Sequence, residues 1–67
     1  MPVSYNKLWK LLIDKGINKT QLGKLAGVST NVIAKLGKSE SVPIESLEKI
    51  CTVLDCDIGD IVEIVSD

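Results

Sequence analysis

Two apolar-periodic segments of barely two turns each, set apart by only four residues, constrain this chain more than any other feature of its sequence. Asn18 opens the first, and Gln21, three residues on, completes a capping-box pair. Leu22, Leu25 and Ala26 recur at helical spacing and are expected to face inward. Gly27 stops this helix, because glycine enters the left-handed region without steric cost. Val28 follows as a buried hinge, Ser29 caps the next helix, and Ile33 and Leu36 form that helix's inner stripe. A connection as tight as Ala26-Gly27-Val28-Ser29 does not let the two helices lie antiparallel. Its central glycine and the apolar residue after it set them near perpendicular.

The flanking segments also read as helices. Ser4 is the expected cap of a first helix over Tyr5–Lys15, with Leu8, Leu11 and Leu12 inside and Gly16 as its stop. After a polar loop, Lys38 to Val42, Pro43 suits the first turn of a fourth helix, whose apolar face is Ile44, Leu47, Ile50, Cys51 and Leu54. Asp55 stands where a helix ends with positive φ, and Asp57 caps a fifth segment with Asp60 near its amide end. From Ile61 to Val65 the residues are mostly β-branched, so that segment is expected either to fray or to become extended.

A chain of 67 residues has room for one domain, 1–67, and its globular composition excludes a disordered one. No apolar run approaches a membrane span, and Met1-Pro2-Val3-Ser4-Tyr5 lacks the pattern of a secretory leader, so the expected location is cytoplasmic. With no His and only Cys51 and Cys56, one chain cannot supply an ordinary four-ligand zinc site. Both cysteines read instead as free thiols, Cys51 on the apolar face of the fourth helix and Cys56 as a small apolar plug after it. No cofactor motif, glycine-rich phosphate loop, calcium loop or plausible carboxylate pair is present, and no enzyme is expected.

The net charge is −1, but its distribution is more informative. Residues 1–40 carry seven lysines against Asp14 and Glu40, a balance of +5; residues 41–67 carry Lys49 against seven acids, a balance of −6. Such a dipolar domain orients itself on a polyanion. In a near-perpendicular helix pair of this kind, the second helix enters the major groove while the first braces across the sugar-phosphate backbone. Its outward positions here are Thr30, Asn31, Val32 and Lys35. Asn pairs with adenine, Lys reaches guanine acceptors, and Thr or Val methyls meet thymine methyl. No acid lies between Lys15 and Glu40.

On these residues the chain resembles the Cro/phage-repressor (XRE-type) helix-turn-helix family over residues 16–59. GINKTQLGKLAGVS resembles its first DNA-binding helix and turn, NVIAKLGK its recognition helix, and VPIESLEKICTVLDCDIGDI its fourth helix and the start of the fifth. The resemblance implies an all-α, compact five-helix, lambda-repressor-like domain that binds double-stranded DNA and represses or otherwise regulates transcription; because one module touches few bases, a homodimer on DNA is expected, reading two half-sites. It also implies phosphate contacts at Thr20 and Gln21 and, in the loop after the recognition helix, at Lys38 and Ser39. Thr30 has a competing role as a helix-start residue, and Gln21 one in the cap at Asn18. Two departures stand out: Gly23 replaces a frequent Ala, and Gly37-Lys38-Ser39 replaces a frequent Glu-x-Gly.

Helix one carries more apolar residues than one core stripe needs. Trp9 and Ile13, four apart, form either a dimer face or a surface covered by Ile61, Ile64 or Val65. A second functional class stays open beside DNA reading: a helical protein-binding module on the same scaffold, favoured by the absence of Arg and by the overall charge.

Overall fold

The computed structural model describes residues 3–65. Met1, Pro2, Ser66 and Asp67 lie outside the described residues, and with them the first positions of the leader reading and the last acid of the acidic half. The chain runs through β1 (Val3–Ser4), α1 (Asn6–Lys15), α2 (Lys19–Ala26), α3 (Thr30–Gly37), α4 (Ile44–Leu54), a 3-10 turn (Ile58–Asp60) and β2 (Glu63–Ile64). Its helices stop where backbone chemistry dictates. Gly16 and Gly27 take φ of 70°, and Asp55 takes φ of 54°, each closing its helix in the left-handed region.

Two boundaries shift by one residue from the sequence expectation. Tyr5, not Ser4, is the cap position of α1, while the Ser4 hydroxyl accepts the Asn6 amide at 3.3 Å. Pro43 precedes α4 as its cap rather than lying in its first turn. The larger correction concerns the fifth helix. A single 3-10 turn stands there, with the Asp60 carboxylate accepting the Asp57 amide at 3.0 Å. Beyond it the chain is extended, and β2 pairs antiparallel with β1, Val3 opposite Ile64 and Ser4 opposite Glu63. The β-branched run from Ile61 to Val65 disfavours a helix. The strand pairing gives the backbone hydrogen bonds that an isolated last turn would lack.

Side chains from every helix meet in one core of Tyr5, Leu8, Leu12, Leu22, Ala26, Leu36, Leu47, Ile50, Cys51, Leu54 and Ile61. Leu25, expected inside, is instead exposed. The inner face of α2 is centred on Leu22 and Ala26 and turned toward Gly23, which lies against Ile33 of α3, so Leu25 falls beyond its edge. Among the described residues no helix is long and apolar enough to cross a membrane.

Candidate nucleic-acid interface

The geometry of the α2–α3 unit begins at Asn18. Its Oδ1 accepts the Gln21 amide at 2.8 Å, and the Gln21 side-chain oxygen accepts the Asn18 amide at 3.0 Å. Only the oxygen of Gln21 is consumed by this cap, which leaves its NH₂ group free to donate outward. The capping role and a phosphate contact are therefore compatible. Thr20, beside it, is exposed in the first turn of α2, where free amides and the helix dipole favour an anion.

At the turn, the Gly23 carbonyl accepts both the Gly27 amide at 3.0 Å and the Val28 amide at 3.1 Å. Val28 is half-buried, as expected of the hinge. Gly23 faces α3, where a Cβ would meet Ile33 Cγ1 at 3.4 Å, an ordinary contact. Its missing side chain also leaves a shallow cleft between α2 and α3, rimmed by Lys19, Thr20, Lys24 and Thr30. Ser29 then caps α3, its hydroxyl accepting the Val32 amide at 3.3 Å.

Leu36 is fully buried and Ile33 half-buried, so the opposite side of α3 faces solvent. Thr30, Asn31 and Lys35 are all exposed on it. Val32 is not equivalent to them: it is half-buried and packs against the core. Ala34 is exposed and lies three residues beyond Asn31, so it belongs to the same face. The helical wheel signals Ala34, but a lone alanine carries no polar chemistry to draw notice.

At the end of α3 the Ser39 amide donates to Leu36 O at 3.2 Å and the Glu40 amide to Lys35 O at 2.9 Å. This pair of bonds defines a Schellman turn, with Ser39 in the left-handed position at φ 57°. Ser39 thus stands where the family's Glu-x-Gly places its glycine, and the loop makes the turn without it. Lys38 and Ser39 are both exposed beside the α3 face.

Trp9 and Ile13, four apart on α1, differ in exposure. Trp9 is half-buried at the edge of the core, and the Lys19 ammonium lies 4.4 Å from its ring centroid, a cation–π contact. Ile13 is 77% exposed. Of the residues expected to cover them, Ile61 is itself buried in the core and Ile64 is exposed. Cys51 and Cys56 are free thiols. Burial first, and then the neighbouring Cys56 thiol and the Asp57 and Asp60 charges, push the Cys51 thiol up to about 11.

Two short capped helices, a glycine turn and a solvent-facing second helix define a helix-turn-helix domain. The comparisons with known proteins agree. Residues 7–67 match the model of the Cro/C1-type HTH DNA-binding domain, and the chain belongs to that family. It is 36% identical over 59 residues to the uncharacterized HTH-type transcriptional regulator YozG of Bacillus subtilis (strain 168), a match covering 85% of this chain and 70% of that protein. Its fold is similar to the crystal structure of the transcriptional regulator VanUg, Form II, with a TM-score of 0.94 and 52% identity over 98% of this chain and 88% of the other.

Proposed function

We propose that this chain is a transcriptional regulator that reads duplex DNA through α3, with Thr30, Asn31 and Lys35 on base edges and Val32 supplying apolar contact from the margin of that face. Thr20, Gln21, Lys38 and Ser39 hold the flanking phosphates, and Lys24 on the cleft rim adds to them. The observation that carries the reading is the exposure of Thr30, Asn31 and Lys35 together on a capped helix whose other side is locked into the core. The family to which the chain belongs supports DNA over a protein ligand for this scaffold. Two copies act together on two half-sites about 34 Å apart, because one module touches too few bases for a specific site. Ile13, the most exposed of the large apolar side chains on the described surface, marks the candidate dimer face, with Trp9 at its edge. Repression follows from occupancy of such a site, and the protein works where the DNA is, in the cytoplasm.

Selection of preferred sites from random duplex DNA tests this reading. Lys35→Ala is expected to weaken binding to the selected site by about 1–3 kcal/mol, and Asn31→Ala to alter the preferred base at one position per half-site. Unchanged affinity and an unchanged base profile would remove α3 from the reading role. Sedimentation of the protein–duplex complex gives the stoichiometry, and a single copy on the full site would contradict the paired arrangement.

A further inference from the structure

We propose that Tyr5 is a positioning residue for DNA binding, its hydroxyl fixing the loop that carries Lys38 and Ser39 against the DNA backbone. This rests on the reading of that loop as a phosphate contact. Tyr5 is 2% exposed at the cap position of α1, far from the outward face of α3 in sequence. Its hydroxyl donates to the carbonyl oxygen of Glu40 at 2.7 Å across 35 residues of chain. The amide of the same Glu40 donates to Lys35 O at 2.9 Å. Glu40 is therefore gripped at both its backbone polar groups, once by the end of α3 and once by the start of α1.

Lys38 and Ser39 sit between the last turn of α3 and this anchor. Ser39 holds φ 57°, a conformation that a residue other than glycine keeps only where its surroundings over-determine it. Among the hydrogen bonds of the described residues, that of Tyr5 is the one from a side chain to the loop between α3 and α4. A tyrosine needed only for packing could be phenylalanine, since the ring fills the core and a buried hydroxyl is costly without a partner. The hydroxyl is thus specific to the loop. It determines the height at which Lys38 stands beside Lys35.

The test is a double-mutant cycle of Tyr5→Phe and Lys38→Ala, read as affinity for the selected duplex over a salt series. Tyr5→Phe is expected to keep the helical circular dichroism, weaken binding about 3- to 10-fold, and lower the slope of log affinity against log salt by about 0.9, one lost phosphate contact. Lys38→Ala should then cost less in the Tyr5→Phe background than alone. A purely structural Tyr5 would lower thermal stability while leaving the slope and the Lys38→Ala effect intact, and that result overturns the proposal. If Lys38→Ala changes nothing in the parent protein while Lys35→Ala weakens binding, the loop meets no phosphate and the proposal falls without the groove reading. If neither substitution matters, the groove reading itself is wrong. Should Tyr5→Phe fail to fold alone, the same cycle in a Gly23→Ala background, whose added methyl meets Ile33 and not the loop, decides the question.

Discussion

Ser39 offers the sharpest test of the local physics. It occupies φ 57° in the Schellman turn that ends α3, the place usually taken by glycine. For a residue with a Cβ the left-handed region costs about 1–2 kcal/mol. Glycine avoids that cost but loses more freedom on folding, which gives back about 0.5–1 kcal/mol. Ser39→Gly should therefore stabilise the domain by about 0.5–1 kcal/mol, since the exposed side chain gives up little else. With an unfolding entropy of about 2.1 cal/mol/K per residue, the 67-residue chain loses about 0.14 kcal/mol of stability per degree near its midpoint. The melting temperature should rise by about 4–7 °C. Thermal melts followed by circular dichroism, supported by urea titration with an unchanged m-value, measure it. Gly27→Ala, which imposes a Cβ at φ 70°, is the control and should move the melt downward. An unchanged or lowered melting temperature for Ser39→Gly would show that the Ser39 side chain itself holds the turn, and would refute the strain argument.

Three further perturbations probe the scaffold. Gly23→Ala should stabilise α2 by up to about 1 kcal/mol, because its methyl meets Ile33 at ordinary contact distance; a loss of stability in chemical denaturation would mean that the two helices cannot yield at all. Asn18→Ala removes the reciprocal cap of α2 and should cost about 1 kcal/mol by the same assay, with a negligible change marking the cap as ornamental. The Cys51 thiol, raised from 9.0 to about 11, stays protonated in the folded state while the unfolded chain ionises. Its contribution to stability is therefore present below pH 9 and is lost as pH rises from 9 to about 11. Stability measured across that range should fall more steeply for the parent than for Cys51→Ala, and parallel pH profiles would exclude the thiol as the cause.

What could be read from the sequence was mostly what local chemistry determines. Gly16, Gly27 and Asp55 end helices because each takes the left-handed conformation directly after the last helical residue, and Asn18, Gln21 and Ser29 cap because their oxygens reach an amide three residues away. Periodicity also located Leu8, Leu12, Leu22, Leu36, Leu47 and Ile50 in the core. Tertiary context decided the rest. Leu25 has the right spacing for burial but lies beyond the edge that Gly23 turns toward α3, and Val32 has the spacing of an outward residue yet packs against the core. Asp57 and Asp60 read as the cap of a fifth segment, and the β-branched run after them left fraying and extension both open. The pairing partner, Val3–Ser4 at the other end of the chain, accounts for the extended outcome. The Tyr5–Glu40 hydrogen bond also joins distant parts of the chain, across 35 residues, and nothing local foretells it. The exposed face of α3 was legible as Thr30, Asn31 and Lys35, and helical spacing puts Ala34 beside them, whereas the Lys24 rim of the cleft emerges only from the packed structure.

Backbone and side-chain amide shifts of the isotope-labelled protein, followed as the selected duplex is added, test the central claim most directly. The account expects the largest changes at Thr30, Asn31, Ala34 and Lys35, with a second group at Thr20, Gln21 and Lys38, and little change on α4 away from any subunit contact. Changes concentrated on α4 or the β1–β2 ribbon, with the amides of α3 unmoved, would contradict it.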